Sequence, residues 1–135
     1  MRKVLVTGSF EVLHPGHLSL FKQAKELGDF LVVVLARDST IREARKREPL
    51  VGEGERLEMV SALKIVDKAR LGNEGYKYKV LEEERPGVVL LGYDQVVDKK
   101  LLERECRRLG AVLKRARPFR GKEFKSSILA KKIGV

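Results

Sequence analysis

Between residues 7 and 17 the chain reads Thr7-Gly8-Ser9-Phe10-Glu11-Val12-Leu13-His14-Pro15-Gly16-His17. Its two histidines, the only two in 135 residues, stand three apart in that stretch. On the first turn of a helix this spacing turns both rings to the same side. Pro15 suits such a turn, where its missing N–H costs nothing, and Gly8 permits tight curvature and close approach of a ligand. A helix start also offers unpaired N–H groups and the positive end of a dipole, both of which favour an anion. Phosphoryl groups in in-line displacement need that environment, because their catalysis consists mainly of holding and neutralising the equatorial oxygens. The competing structural reading has His14 capping the turn and His17 packing on the sheet. The H-P-G-H spacing between a strand and a helix favours chemistry.

For both rings to reach one ligand, the stretch must join a strand to a helix. Val4-Leu5-Val6 is short, apolar and β-branched, as a buried strand is. Leu18, Leu20, Phe21, Ala24 and Leu27 fall on one helical face. After a Gly28-Asp29 turn, Phe30 to Ala36 reads as a central strand buried on both sides. Ile41 to Glu48 is a charged loop or short helix. Leu57, Val60, Leu63 and Ile65-Val66 predict a second amphipathic helix beginning near Glu53. Asp67 to Leu71 reads as an edge strand, and Lys77 to Glu84 as a weakly patterned helix ended by Pro86. Val88 to Leu91 is a third strongly apolar strand, and Asp98 to Leu109 a basic helix stopped by Gly110. Ala111 to Leu113 makes a last strand, and Ser126-Ser127 starts a last helix carrying Ile128, Leu129 and Ile133.

This alternation predicts an α/β fold. Its form is a doubly wound, five-stranded parallel sheet, Rossmann-like, of order 3-2-1-4-5, with helices on both faces and one domain over residues 1–135. The ligand crevice of such a sheet lies beyond the carboxyl ends of the strands, where strand order reverses. Strands 1 and 4 meet there, which brings the H-P-G-H turn beside Gly92-Tyr93-Asp94.

Gly8-Ser9-Phe10-Glu11-x-x-His14-x-Gly16-His17 resembles the signature of the cytidylyltransferase-like nucleotidyltransferases, and the resemblance extends over nearly the whole chain. Such enzymes transfer a nucleoside monophosphate from a triphosphate to a phosphate-bearing acceptor and release pyrophosphate. Ala36-Arg37-Asp38 and Leu91-Gly92-Tyr93-Asp94-Gln95 resemble the archaeal FAD synthase branch, with glycerol-3-phosphate cytidylyltransferases next. The resemblance implies adenylyl transfer from ATP to FMN, with Mg²⁺ assisting, and His14 and His17 steadying the phosphates. It also implies that Gly8, Ser9, Phe10 and Gly16 share the nucleotide site. Family members usually carry Asp where this chain has Glu11; the longer arm keeps the charge and leaves Glu11 without a definite role.

Other residues join this set. Asp38 follows the second strand, where a carboxylate could hold Mg²⁺ with substrate phosphates or cap the next helix. Arg42, Arg45, Lys46 and Arg47 form either a clamp over a triphosphate or a solvated charged face. The resemblance gives Lys46 a phosphate contact. It gives Arg56, otherwise one member of an i, i+4 surface pair, a nucleotide contact. Gly92 would let a flat base lie close to the backbone, Tyr93 could stack, and Asp94 could accept bonds from ribose hydroxyls or base amino groups. Ser126 and Ser127, at a helix start after several basic residues, form a second anion site, unless one of them is only the N-cap of that helix. By resemblance these serines grip the triphosphate, with Arg120 preferred to Arg117 as their basic neighbour.

Composition bounds the alternatives. The net charge of +10, from 29 basic against 19 acidic residues, favours anionic partners. Charged residues make up 36% of the chain, with one Asn and two Gln, a balance that leans towards a thermophile. The single Cys106 excludes an internal disulfide and, alone, a cysteine-based zinc site. No apolar run approaches the roughly 20 residues of a membrane span, and no signal peptide precedes the first strand, so a cytoplasmic protein is expected. A nucleic-acid-binding module fits the charge, but no reader motif accompanies it and aromatics are only 6%. A class I aminoacyl-tRNA synthetase shares an H-x-G-H-like motif but needs a longer chain. Within the favoured chemistry the alternative is CTP-dependent transfer to glycerol 3-phosphate or another small phosphate. Relatives often dimerise, so a homodimer is a further expectation.

Overall fold

The computed structural model describes residues 2–119. The expected last helix, with Ser126, Ser127 and the upstream Arg120, lies outside them. In chain order the elements are β1 (Lys3–Gly8), α1 (Pro15–Leu27), β2 (Phe30–Leu35), α2 (Asp38–Arg45), α3 (Glu53–Ser61), β3 (Lys68–Leu71), α4 (Lys79–Glu84), β4 (Val88–Leu91), α5 (Lys99–Leu109) and β5 (Val112–Arg115). The five strands pair in the order β3-β2-β1-β4-β5, and every pairing is parallel, as expected.

Alternation along the central strands builds two separate cores, because successive residues point to opposite faces. Val4, Val6, Leu31, Val33, Val88 and Leu90 face one side, where Phe21 and Ala24 of α1 and Val60 of α3 cover them. Leu5, Val32, Val34, Val89 and Leu91 face the other, under Val80 and Leu81 of α4 and Leu102 and Cys106 of α5. Among the described residues no helix is long and apolar enough to cross a membrane.

Local departures from the sequence pattern have physical causes. The helix expected through Val66 stops at Ser61. Asp67 is already committed to β2: its N–H donates to Leu31 O (3.1 Å) while its carboxylate accepts from Leu31 N–H (2.7 Å), which requires extended chain before β3. Of the segment Ile41–Glu48, expected as a charged loop or short helix, Ile41 to Arg45 form the body of α2, which Lys46 closes in the left-handed region (φ 56°). α4 begins at Lys79 rather than Lys77 and ends at the left-handed Arg85 (φ 48°), one residue ahead of Pro86. The Asp98 carboxylate caps α5 by accepting from Leu101 N–H, and Gly110 closes that helix at φ 75°.

Candidate active site

The turn from β1 to α1 is held under strain. Phe10 adopts φ 52°, a conformation bulky residues rarely take, and its side chain is buried against Phe21. A Cβ on Gly8 would come within 2.9 Å of the Phe10 ring. Gly8 therefore makes room for the chain's own aromatic ring. The Phe10 ring is a buried support for the first turn of α1, its centroid 5.0 Å from that of the His17 ring in an edge-on arrangement.

On that support the two imidazoles stack, 3.8 Å between centroids and 28° between planes. His14 is the N-cap of α1, its Nδ1 accepting from Gly16 N–H at 3.1 Å. The capping role weighed against catalysis is thus present, and it has a chemical consequence. A neutral ring that accepts at Nδ1 carries its proton on Nε2, so the cap fixes His14 as an Nε2–H donor. Burial lowers the His14 pKa, against an opposing pull from Asp94. His17 is pushed down to about 3 by burial and by His14, again with Asp94 pulling the other way. Both rings are neutral donors at neutral pH, and His17 Nδ1 is buried with no hydrogen-bond partner among the described residues.

The residue left without a role by its sequence, Glu11, anchors the opposite wall. Its carboxylate is fully buried and accepts from Arg45, from both Nη atoms of Arg47 and from Leu50 N–H (3.0 Å). A buried carboxylate is tolerated only when paired and bonded in this way. It pins the end of α2 and the following segment onto the β1–α1 turn. Arg45 also donates to Ser9 Oγ (3.1 Å), which ties that hydroxyl to the arginine cluster. The signal in the sequence was a carboxylate inside the motif and a run of arginines some 35 positions later; only folding could pair them.

Arg56 is corrected from a surface or nucleotide-facing residue to an internal strut. It is 1% exposed, and its guanidinium donates to Val51 O, Ser9 O, Ala36 O and Asp38 Oδ1 at 2.7–2.8 Å. These bonds join the turn after β1, the end of β2 and the start of α2. Asp38 is not an N-cap but the first residue of α2, its N–H donating to Glu53 (2.8 Å). Its pKa is lowered: burial acts upward, but the Arg56 bond and the Glu53 contact outweigh it. With its charge spent on Arg56, Asp38 does not fit a metal seat. Among the described residues no group of three or more His, Cys, Asp or Glu could hold a metal. Lys46 is exposed beside this wall.

At the end of β4 the chain turns back towards β1. Gln95 accepts from Gly92 N–H (3.0 Å) and donates to Thr7 Oγ1 (3.0 Å), joining the two strand ends. Arg115, not anticipated from sequence, braces the same loop by donating to Gly92 O, Tyr93 O and Gln95 O at 2.9–3.3 Å. Asp94 is exposed, and its charge reaches both imidazoles. The Tyr93 hydroxyl is buried without a hydrogen-bond partner among the described residues. A Cβ on Gly92 would make only ordinary contact with Gln95 (3.7 Å), so nothing inside the protein demands glycine there. Buried Gln23 grips Arg117 by its backbone N–H and carbonyl (2.8 and 3.2 Å), while the Arg117 side chain reaches Glu26 (3.3 Å).

Beside these groups, on the α4 side of the sheet, lies a cavity of about 280 Å³ at the carboxyl ends of β1, β2 and β4. Leu5, Val34, Val89 and Tyr78 form its buried walls, and exposed Thr40 and Lys77 stand at its mouth. Nothing in the local sequence marks this pocket, because its walls are ordinary core residues drawn from several elements.

Comparison with known proteins accords with this geometry. Residues 5–131 match the family model described as cytidylyltransferase-like. A protein of Aciduliprofundum boonei named FAD synthase is 48% identical over 114 residues, covering 84% of this chain and 76% of that protein. A FAD synthase of Thermoplasma volcanium is 44% identical, covering 98% of this chain and 94% of its own length. A solved structure from Thermoplasma volcanium, described as a lipopolysaccharide core biosynthesis protein, superposes with a TM-score of 0.80 at 42% identity, over 88% of this chain and 98% of that one.

Proposed function

The chain belongs to the cytidylyltransferase-like family, and on that footing we propose that it is a nucleotidyltransferase joining ATP and FMN into FAD with release of pyrophosphate. The FMN phosphate, already ionised at neutral pH, attacks the α-phosphorus of ATP. The bond to the β-phosphate oxygen breaks, and its electron pair leaves with pyrophosphate. No protein nucleophile is needed. The observation that carries the reading is the stacked imidazole pair at the start of α1, neutral and with the His14 proton set on Nε2. Two N–H donors beside a helix start oppose the charge that builds on the phosphate oxygens.

The remaining site residues support the same reading. Gly16 lies in the first turn of α1, its N–H setting the His14 ring, while Arg45, Arg47 and exposed Lys46 line the facing wall. Asp94, near the rings on the β4 side, suits hydrogen bonding to the nucleoside, with Gly92 and Tyr93 beside it. Ser126, Ser127 and Arg120 belong to the proposal as a second phosphate grip. Magnesium, expected with ATP, would be held mainly by phosphate oxygens and water, the mode that ion favours where no protein cage exists.

The name of the solved Thermoplasma volcanium relative motivates a comparison with sugar phosphates. Pyrophosphate release is measured for ATP and CTP, each with FMN, glycerol 3-phosphate or a heptose phosphate. Turnover confined to ATP with FMN is the expected result; turnover with CTP and a polyol phosphate, and none with FMN, would overturn the proposal.

A further inference from the structure

We infer that the cavity on the α4 side of the sheet seats the flavin ring of the acceptor and makes the protein select a flavin phosphate over a small polyol phosphate. The inference rests on the proposed reaction and deepens it. In-line displacement places the attacking and leaving oxygens on opposite sides of the phosphorus. The imidazoles and α1 lie on one face of β1, where Phe10 and Phe21 pack, whereas the cavity lies on the other, bounded by Leu5, Thr7 and Tyr78. With the triphosphate against the rings, the acceptor approaches from the cavity side.

The chemistry of the walls decides what can occupy it. The buried part of the wall, Leu5, Val34, Val89 and the Tyr78 ring, favours an apolar ring over a polyol. Thr7, Asn73, Lys77 and Gln95 form a polar edge that suits the flavin ring's carbonyl and nitrogen atoms. A planar fused ring gains buried apolar area and a tyrosine wall. At about 280 Å³ the cavity is at the small end of ligand sites, with room for a ring system and not for a whole nucleotide. The polar parts of the acceptor, its ribityl chain and phosphate, would then pass Thr7 and Ser9 on the way to the α-phosphorus.

Gly72 provides the test. It lines the cavity, and a Cβ there would make ordinary contacts, 3.6 Å from Leu35 O and 3.7 Å from Val34 Cγ1. A side chain can therefore start from this position without forcing the backbone, and a leucine there takes up cavity space. Gly72→Leu, with Thr40→Trp on the exposed face of α2 as a second variant, is expected to raise the KM for FMN tenfold or more and leave the KM for ATP within twofold. Riboflavin, which has the ring and no phosphate, is expected to quench on binding the native protein, to compete with FMN, and to lose its binding in both variants. Flavin binding read by fluorescence needs no turnover. A protein that makes no FAD but binds riboflavin in this variant-sensitive way keeps the inference and loses the proposed reaction. If the native protein fails to bind riboflavin, or if both variants keep their FMN affinity or lose ATP instead, the cavity is not the flavin seat.

Discussion

At the residue scale, His14 shows how one side chain can serve both architecture and chemistry. Its Nδ1 caps α1, and that bond commits Nε2 to donation. The two roles separate by substitution. His14→Asn keeps an N-capping oxygen, so helix stability holds while turnover falls; His14→Ala loses both, the cap costing about 1 kcal/mol. Urea unfolding and initial rates on the same preparations distinguish the cases. His17→Ala, with no cap to lose, is expected to fold and to lose roughly 100-fold in turnover, the size of effect seen when one oxyanion donor is removed. His17 also sets an acid limit. Its folded pKa of about 3 lies below the ordinary 6.5, so the unfolded chain binds the extra proton first. Stability is fully present above pH 6.5 and falls as pH drops from there towards 3, by up to about 1.4 kcal/mol per unit. Between about pH 7.5 and about pH 5 the unfolding free energy should fall by about 2 kcal/mol more in the native protein than in His17→Gln.

At the element scale, the wall facing α1 depends on one buried carboxylate. Glu11 collects Arg45, Arg47 and Leu50 N–H, and so fixes how α2 and the segment after it lie over the turn. Removing the charge leaves the arginines turned towards a neutral group in a closed space. Glu11→Gln is expected to cost about 3 kcal/mol, the low end for a broken buried pair because the arginines are a third exposed. Hydrogen exchange at Leu50 should quicken in that variant well before exchange in β1 or β2. Unchanged protection at Leu50 would show that the wall stands without its anchor.

At the scale of the whole molecule, a second buried carboxylate holds the sheet at a distance from the site. Glu84, at the end of α4, accepts from Lys3 of β1 (3.4 Å) and from Lys68 and Arg70 of β3 (2.8 and 3.0 Å). Burial pushes its carboxyl up, but the bonds from Lys68, Arg70 and Lys3 prevail and hold it at about 2. The folded pKa is depressed, so this contribution is present above the ordinary 4.5 and is lost as pH falls from 4.5 towards 2. Acid unfolding should therefore show two windows, the upper reduced by His17→Gln to the part that His14 contributes and the lower reduced by Glu84→Gln, as read by circular dichroism against pH. A lower transition unaltered in Glu84→Gln would place the acid lability elsewhere.

Local pattern alone determined the strand order, the two-faced helical cover and the meeting of the H-P-G-H turn with Gly92-Tyr93-Asp94. Apolar runs separated by amphipathic stretches admit few right-handed parallel arrangements. Val88–Leu91 stands where its β-branched residues placed it, and α1 begins at Pro15 as its chemistry requires. Tertiary structure alone decided the partners of Glu11 and Arg56, the burial of Phe10, the brace from Arg115 and the cavity beside Tyr78. Each depends on groups tens of residues apart, and the free energy of a buried charge is set by whatever folding brings against it, which no local spacing encodes.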